Sequence, residues 1–233
     1  MKFEVLPDTG SVARRAAELI AAEARAAAGT RGRFSIAVSG GHTPWQMLRA
    51  LADEQVPWNA VHLFQVDERV APAGDPDRNL THIAETLLTR VTLPAGHLHA
   101  MPVGDKDLAS AAARYARELD QVAGAPPVLD LVHLGLGPDG HTASLVPGDP
   151  VLEVKQAEVA VTGTYQGHQR MTLTFPVLDR ARCILWVVTG AEKAGMLLRL
   201  QAGDRSIPAG RVRSDRAVIL ADAEAAARKP REP

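Results

Sequence analysis

The chain has 233 residues and nearly balanced charge, with 26 Lys and Arg against 27 Asp and Glu and a formal net charge of −1. Its 46% hydrophobic and 23% charged residues are ordinary for a soluble globular protein. The length predicts a single domain spanning residues 1–233. The charge balance argues against a nucleic-acid partner or a membrane-surface partner, so any anion site has to be built locally from a few Lys and Arg residues.

The lone cysteine, Cys183, lies in an apolar run, so no disulfide can form within the chain, which fits a reducing compartment. The first residues lack the apolar region of a signal peptide, and no apolar run approaches the about 20 residues of a membrane span. We therefore expect a cytoplasmic protein, and we favour a monomer. The tail at residues 228–233 is expected to be disordered.

Helical and apolar strand patterns alternate along the chain. Thr9 or Ser11 is expected to cap an Ala-rich helix that runs to about Ala28 and ends at Gly29. This alternation predicts an α/β fold with a mostly parallel sheet covered by helices on both faces. The predicted strands cover residues 34–38, 61–66, 128–134, 157–161, 170–174, 183–188 and 217–220, and later helices begin near Pro44 or cover about 78–88, 106–122 and 191–200.

A first candidate site lies where the strand 34–38 meets a helix start. Ser39, Gly40 and Gly41 are followed by Thr43, and glycines at a helix N-terminus let backbone amides approach a phosphate closely. A serine nucleophile is the alternative, because strand, serine and glycines resemble a nucleophile elbow. Ala37 stands where that elbow has its first glycine, which weighs against this alternative.

The most informative segment covers residues 134–144, where an apolar strand enters a turn with Gly137, Asp139, Gly140 and His141. Such turns at strand carboxyl ends bind ligands in open α/β sheets. His141 is the candidate general base, and Asp139 is expected to orient it or to contact substrate hydroxyls. Thr142 or Ser144 is expected to begin the next helix. The glycine spacing also matches a dinucleotide fingerprint, but Pro147 and Pro150 interrupt the helix which that fingerprint requires.

Charged residues follow other elements of the predicted sheet. Asp67, Glu68 and Arg69 end one strand, the segment Asp77–Asn79 starts a helix, and Arg170 and Lys193 are further candidate cations for an anion. Among the histidines, His133 is interpreted as a satisfied core residue. His97 and His99 have ligand-like spacing, but no Cys, His or carboxylate cluster completes a metal site, so we predict no metal.

These segments occur in an order that resembles the 6-phosphogluconolactonase family, a branch of the glucosamine-6-phosphate isomerase superfamily. The resemblance covers nearly the whole chain, and the Asp139 turn is its most specific part. It implies a three-layer Rossmann-like α/β fold. It also implies hydrolysis of 6-phospho-D-glucono-1,5-lactone to 6-phospho-D-gluconate in the pentose phosphate pathway, without a cofactor. The segments are Ser39–Pro44, Asp67–Arg69, Asp77–Leu80, Gly135–Leu145 and Arg170–Thr172.

The resemblance also implies roles for individual residues. His141 takes the place of the catalytic histidine, and Asp67 is expected to hold sugar hydroxyls or water. The backbone between Gly137 and Gly140, or Arg69, is expected to stabilise an oxyanion. Pro76 departs from the serine common in the family, which leaves the pose of the loop before Arg78 open. The phosphate-binding residues implied are Ser39, Gly40, Gly41, Thr43, Arg170 and Lys193, with Arg69 or Arg78 as additional candidates.

Two other functions stay open. Glucosamine-6-phosphate deaminases share the loop and the turn, but they place a glutamate five positions after the histidine, where this chain has Val146, and an aromatic residue where it has Arg69. A non-catalytic sugar-phosphate sensor is the second alternative. For such a sensor we expect an attached DNA-binding segment, and no such segment is recognised in this sequence.

Overall fold

The computed structural model describes residues 1–227, so the predicted disorder of the tail at 228–233 lies outside the described residues. The strands are β1 (Lys2–Leu6), β2 (Phe34–Val38), β3 (Val61–Gln65), β4 (Asp67–Arg69), β5 (Leu98–His99), β6 (Leu131–Leu134), β7 (Val159–Val161), β8 (Arg170–Leu173), β9 (Cys183–Val188) and β10 (Ala217–Asp222). The α-helices are α1 (Thr9–Arg31), α2 (His42–Leu51), α3 (Asn79–Ile83), α4 (Leu108–Ala123), α5 (Phe175–Arg180), α6 (Ala194–Gln201), α7 (Pro208–Arg211) and α8 (Ala223–Ala226). A π-helical turn at Ala84–Leu88 continues α3, and 3₁₀ turns lie at Trp58–Ala60, Pro150–Glu153 and Ala191–Lys193.

The main sheet has seven strands in the order β1-β10-β9-β6-β2-β3-β5. Its neighbouring strands all pair in parallel, which confirms the predicted parallel sheet. Strand β2 lies between β3, which follows it in the chain, and β6, which comes much later. The order of strands therefore reverses at β2, and a crevice opens between the loops that follow β2 and β6.

A second sheet, which the sequence did not predict, has three antiparallel strands in the order β4-β8-β7. The apolar strand expected over 61–66 ends at Gln65, and Asp67–Arg69 forms a strand of its own rather than the end of that one. Arg69 is the register partner of Arg170 in this sheet. The small sheet therefore brings two of the predicted cations together.

Side chains of the main sheet alternate between two hydrophobic clusters, one on each face. Ala37 belongs to one cluster with α4 and α5, whereas Ile36 and Val38 belong to the other with α1 and α2. Trp186 is buried among the first cluster and Leu185 among the second. The helices thus cover both faces of the sheet, as predicted.

Helix α1 differs from the prediction at both of its ends. Asp8, not Thr9 or Ser11, caps α1, because its Oδ1 accepts the amide of Ser11 at 2.7 Å. The same helix runs past Gly29 to Arg31 and stops at Gly32, whose φ of 72° suits glycine.

No helix begins at Thr142 or Ser144. Thr142 instead forms a short bridge with Leu145, and the Ser144 hydroxyl donates to Asp67 rather than capping a helix. Within residues 1–227, no helix has the length and apolar character needed to cross a membrane.

Candidate functional site

A cavity of about 400 Å³ opens at the carboxyl ends of β2, β6 and β9. It brings together most of the predicted site residues, namely Ser39, Gly40, Gly41, Thr43, Asp67, Arg69, Gly137, His141, Arg170 and Lys193. Arg78, Asp139 and Gly140 do not line it. Further lining residues that the sequence did not single out as a site include Asn79, Ala143, Thr189 and Glu192.

The loop after β2 packs closely against the Asn79 side chain. A Cβ on Gly40 would lie 1.9 Å from Oδ1 of Asn79, so only glycine fits there, and Gly41 has a φ of 122°. Helix α2 starts at His42 without a side chain capping its N-terminus, and the Thr43 hydroxyl lies 2.6 Å from that of Thr189. Uncapped amides at the start of a ten-residue helix suit an anion.

Ser39 is held by the neighbouring strand β6. Its amide donates to Nδ1 of His133 at 3.3 Å, and its hydroxyl donates to the carbonyl oxygen of His133 at 2.9 Å. Burial lowers the pKa of His133 to about 3, so this imidazole is neutral, but its Nε2 has no hydrogen-bond partner. His133 is a core residue, as interpreted, but the expectation that its ring is satisfied was wrong for Nε2. A serine nucleophile needs its hydroxyl hydrogen-bonded to a base, and the Ser39 hydroxyl contacts a carbonyl instead.

His141 is oriented by Asp139. Its Nδ1 lies 2.6 Å from Oδ1 of Asp139, and its backbone amide donates to the same oxygen at 3.1 Å. A carboxylate at Nδ1 fixes the proton on that nitrogen and leaves Nε2 free to act as a base. The pKa of Asp139 is lowered, because hydrogen bonds and charge from His141 and a hydrogen bond from Tyr165 together outweigh the opposing effect of burial.

Glycines allow the tight turn that carries His141. A Cβ on Gly137 would lie 2.1 Å from Nδ1 of His141, so the imidazole packs directly on the Gly137 backbone. Gly140 has a φ of 86° and packs against Ile207. The amide of Gly137 donates to the His141 carbonyl and the amide of Gly140 to the Gly137 carbonyl. These two amides are therefore engaged within the turn.

Asp67 is a buried carboxylate at the cavity wall. Its Oδ2 accepts the Ser144 hydroxyl at 2.5 Å, and Nδ2 of Asn79 donates to its carbonyl oxygen at 3.0 Å and to Oδ1 at 3.3 Å. Ser144 and Asn79 were not among the predicted site residues, although both lie in the motifs that carry the family resemblance. Their contacts fix the orientation of the carboxylate.

Glu68 explains why Arg78 is absent from the cavity wall. Its fully buried carboxylate accepts the amides of Arg69, Asn79 and Leu80 and the side-chain amide of Gln65, each at 2.8 Å. Nε of buried Arg78 lies 3.6 Å from it and has no hydrogen-bond partner. In this structure, Arg78 balances the charge of Glu68.

The cations of the cavity come from the small sheet and from the 3₁₀ turn that follows β9. Arg170 is buried and its Nε has no hydrogen-bond partner, while Nη1 of its register partner Arg69 donates to Oδ1 of Asn79 at 3.1 Å. Burial lowers the pKa of Arg170, the charge of Asp67 opposes this, and the charge of Arg69 reinforces it. Lys193, 4.0 Å from Glu192, adds a third cation. A buried guanidinium group with an unused donor, next to two further cations, indicates an anion-binding wall.

Sequence reasoning missed Tyr165, whose hydroxyl donates to Oδ2 of Asp139 at 3.1 Å. No motif pointed to this residue, because it lies in an irregular connection between β7 and β8. Among residues 1–227, no group of three or more His, Cys, Asp or Glu residues is arranged to hold a metal ion. His97 and His99 instead form a cluster with His62, whose ring stacks on both.

A family model described as glucosamine-6-phosphate isomerases/6-phosphogluconolactonase matches residues 7–220. The chain belongs to this family. Among its relatives, a 6-phosphogluconolactonase of Nostoc sp. is 38% identical over 85% of this chain and 84% of that protein. The 6-phosphogluconolactonase of Mycobacterium tuberculosis is 35% identical over 98% of both chains.

Solved structures of the family share the fold. The 6-phosphogluconolactonase of Thermotoga maritima superposes with a TM-score of 0.84 at 28% identity, covering 95% of this chain and 98% of that one.

Proposed function

We propose that this chain is a 6-phosphogluconolactonase, which hydrolyses 6-phospho-D-glucono-1,5-lactone to 6-phospho-D-gluconate. The observation that carries the proposal is a single cavity that holds three cations, the buried Arg170 among them, on one wall and His141, which is oriented by Asp139, on another. A phosphorylated lactone has the matching features, a dianionic group and an electrophilic carbonyl. Relatives that align with most of this chain are named 6-phosphogluconolactonase, and they support the same function. A cytoplasmic location and a monomeric state stay predictions.

Substrate binding begins at the phosphate. The uncapped start of α2, with Gly40, Gly41 and Thr43, faces the same cavity as Arg170 and Lys193. Together they supply amide, hydroxyl and charged donors to phosphate oxygens. Asp67, whose carboxylate is held by Ser144 and Asn79, accepts hydrogen bonds from sugar hydroxyls. Anchoring both ends fixes the lactone carbonyl near His141, which replaces a random encounter with an oriented one.

In the hydrolysis, one residue acts first as the general base and then as the general acid. Nε2 of neutral His141 removes a proton from water while the water oxygen forms a bond to C1. The tetrahedral intermediate collapses with cleavage of the bond from C1 to the ring oxygen, and the imidazolium returns its proton to that oxygen. Asp139 stabilises the imidazolium during this step. Because the amides of Gly137 and Gly140 are engaged in the turn, Arg69 is the candidate donor to the oxyanion.

A coupled assay tests this function. The lactone is generated in place, its conversion to 6-phosphogluconate is followed, and the spontaneous rate is subtracted. We expect wild-type acceleration and a loss of about 10²- to 10⁴-fold in kcat for His141→Ala. His82→Ala is the matched control, because His82 stacks on Trp45 and does not line the cavity.

Wild-type kcat in His141→Ala would rule out His141 as the base. No acceleration by the wild type would exclude the lactonase, and ammonia release from glucosamine 6-phosphate would then identify a deaminase.

A further inference from the structure

The connection between β7 and β8 ends at Arg170, a residue of the cavity wall, and has an unusual backbone. Gln166 has a φ of 50° and Gly167 a φ of 83°, and a backbone bridge joins Tyr165 to His168. A non-glycine residue with positive φ is strained, and the strain persists where surrounding contacts fix the conformation. This hairpin tip therefore holds its side chains in defined places.

Tyr165 projects from the tip between the two functional walls. Its hydroxyl donates to Oδ2 of Asp139 at 3.1 Å, and its ring meets the His141 ring edge to face at 5.5 Å between centroids. The guanidinium carbon of Arg170 lies 5.1 Å from the centroid of the same ring, a cation–π distance. One side chain thus touches the carboxylate, the imidazole and a buried cation.

The two oxygens of Asp139 have different partners. Oδ1 receives both the amide and Nδ1 of His141, whereas Oδ2 receives the Tyr165 hydroxyl. A carboxylate held at one oxygen only can rotate about its last side-chain bond. The second hydrogen bond fixes the plane of the carboxylate, and with it the plane of the imidazole. Burial raises the pKa of Asp139, and the contacts with His141 lower it. The hydrogen bond from Tyr165 makes a smaller contribution that also lowers this pKa.

Gln166 extends the same arrangement to the cation. Its Oε1 accepts Nη2 of Arg170 at 3.3 Å, and its Nε2 lies 3.4 Å from the Tyr165 hydroxyl. The guanidinium group is therefore held from its face by the Tyr165 ring and from its end by the Gln166 amide.

We propose that Tyr165 is a positioning residue that aligns the proton-accepting imidazole with the anion-binding guanidinium, through its hydroxyl on Asp139 and its ring under Arg170. The inference rests on the proposed function in taking His141 as the base. The hydroxyl acts on the chemical step, because it holds the Asp139 carboxylate in the orientation that keeps the proton on Nδ1 of His141. The ring acts on substrate binding, because it supports the cation.

Tyr165→Phe separates these two contributions, because it removes the hydroxyl and keeps the ring. We expect kcat to fall about 3- to 10-fold at unchanged KM, as for the loss of one hydrogen bond of typical net strength, because the hydroxyl acts on His141 indirectly, through Asp139. Long-range ¹H–¹⁵N spectra of the free protein report the tautomer of His141. The wild type should show the proton on Nδ1, and the variant should show a measurable Nε2–H fraction. Tyr165→Leu, which also removes the ring, should raise KM in addition.

The chain offers a matched control, since it has only two tyrosines. The buried Tyr115 hydroxyl accepts the Gln65 amide at 2.9 Å and donates to the His99 carbonyl at 3.1 Å. Tyr115→Phe should lower Tm while leaving kcat and the His141 tautomer as in the wild type. The proposal is overturned if Tyr165→Phe keeps the wild-type tautomer, whatever its kcat, or if Tyr115→Phe reproduces both of its effects. The spectra need no substrate, so they decide on Tyr165 even if the wild type fails to hydrolyse the lactone.

Discussion

Arg69 and Arg170 are direct register partners on the antiparallel strands β4 and β8, and both side chains line the cavity. Like charges opposite one another destabilise a strand pair, and burial of Arg170 adds to this cost. An anion bound between them would remove the repulsion. If the phosphate of the substrate binds here as proposed, its binding also stabilises this pair of strands.

Arg170→Met should raise KM for the phosphorylated lactone about 10- to 100-fold, because a charge-assisted hydrogen bond contributes about 1.5–3 kcal/mol. We expect kcat to change less, since the guanidinium group holds the phosphate rather than the reacting carbonyl. Initial-rate kinetics with the substrate generated in place measure both constants.

Arg213→Met is the control for this prediction, because Arg213 is exposed and pairs with Asp215 at 2.5 Å. It should leave KM unchanged. Glucono-1,5-lactone, which lacks the phosphate, should be hydrolysed equally by the wild type and Arg170→Met. An unchanged KM in Arg170→Met would remove this residue from the phosphate site.

Gly137→Ala should displace His141 and lower kcat by about 10²-fold, because a Cβ at this position would lie 2.1 Å from Nδ1 of the imidazole. Binding of inorganic phosphate, measured by calorimetry, should stay as in the wild type, since the anion wall is formed by other elements. Gly104→Ala is the control, because Gly104 does not line the cavity and nothing lies within 4 Å of its added Cβ. Equal kcat values in the two variants would show that the imidazole does not depend on this contact.

Acid should destabilise the protein through the histidine cluster. Burial lowers the pKa of both His62 and His99 from 6.5 to about 4, and the charge of His97 adds to this effect. At His62 the charges of His99 and Arg33 lower the pKa further. The unfolded chain therefore binds protons at higher pH than the folded protein, and stability is lost as pH falls from about 6.5 to about 4. Glu118, 3.6 Å from His99, is the one carboxylate that faces this cluster in the described structure.

We expect Tm to fall by about 5 °C or more across this interval, as measured by calorimetry. His62→Gln should reduce the dependence of Tm on pH, because it removes one of the groups that take up protons only on unfolding. His168→Gln, in an exposed hairpin, should keep the wild-type dependence. A Tm that stays constant from pH 6.5 to pH 4 would contradict the assigned protonation states.

The sequence predicted those elements whose signal is local. The strand Cys183–Val188 was predicted with its observed ends, because six consecutive apolar residues indicate a buried strand without further context. Strand β4 was not predicted as a strand, because Asp67, Glu68 and Arg69 carry no apolar signal. Its stability depends on backbone amides of residues 69, 79 and 80 that satisfy the buried Glu68, and such contacts do not follow from a local pattern.

The same difference separates the predicted site residues from the missed ones. His141 and Asp139 are two residues apart in a glycine-rich turn, so their contact follows from the sequence. Tyr165 contacts Asp139 across 26 residues, and nothing in its own segment predicts a functional role. Arg78 was expected among the phosphate ligands from its motif, yet the structure packs it against Glu68. Contact between Arg78 and the substrate stays a prediction.

The small sheet makes the architecture modular. The large parallel sheet supplies the anion loop and the imidazole, whereas the small sheet supplies Asp67, Arg69 and Arg170 and the hairpin that carries Tyr165. Changes in the strands of the small sheet therefore act directly on its charged residues, and they reach His141 through Tyr165, which contacts both Asp139 and the imidazole. A protein of this design can evolve a new specificity by rebuilding three short strands, and the larger part of its hydrophobic core stays intact.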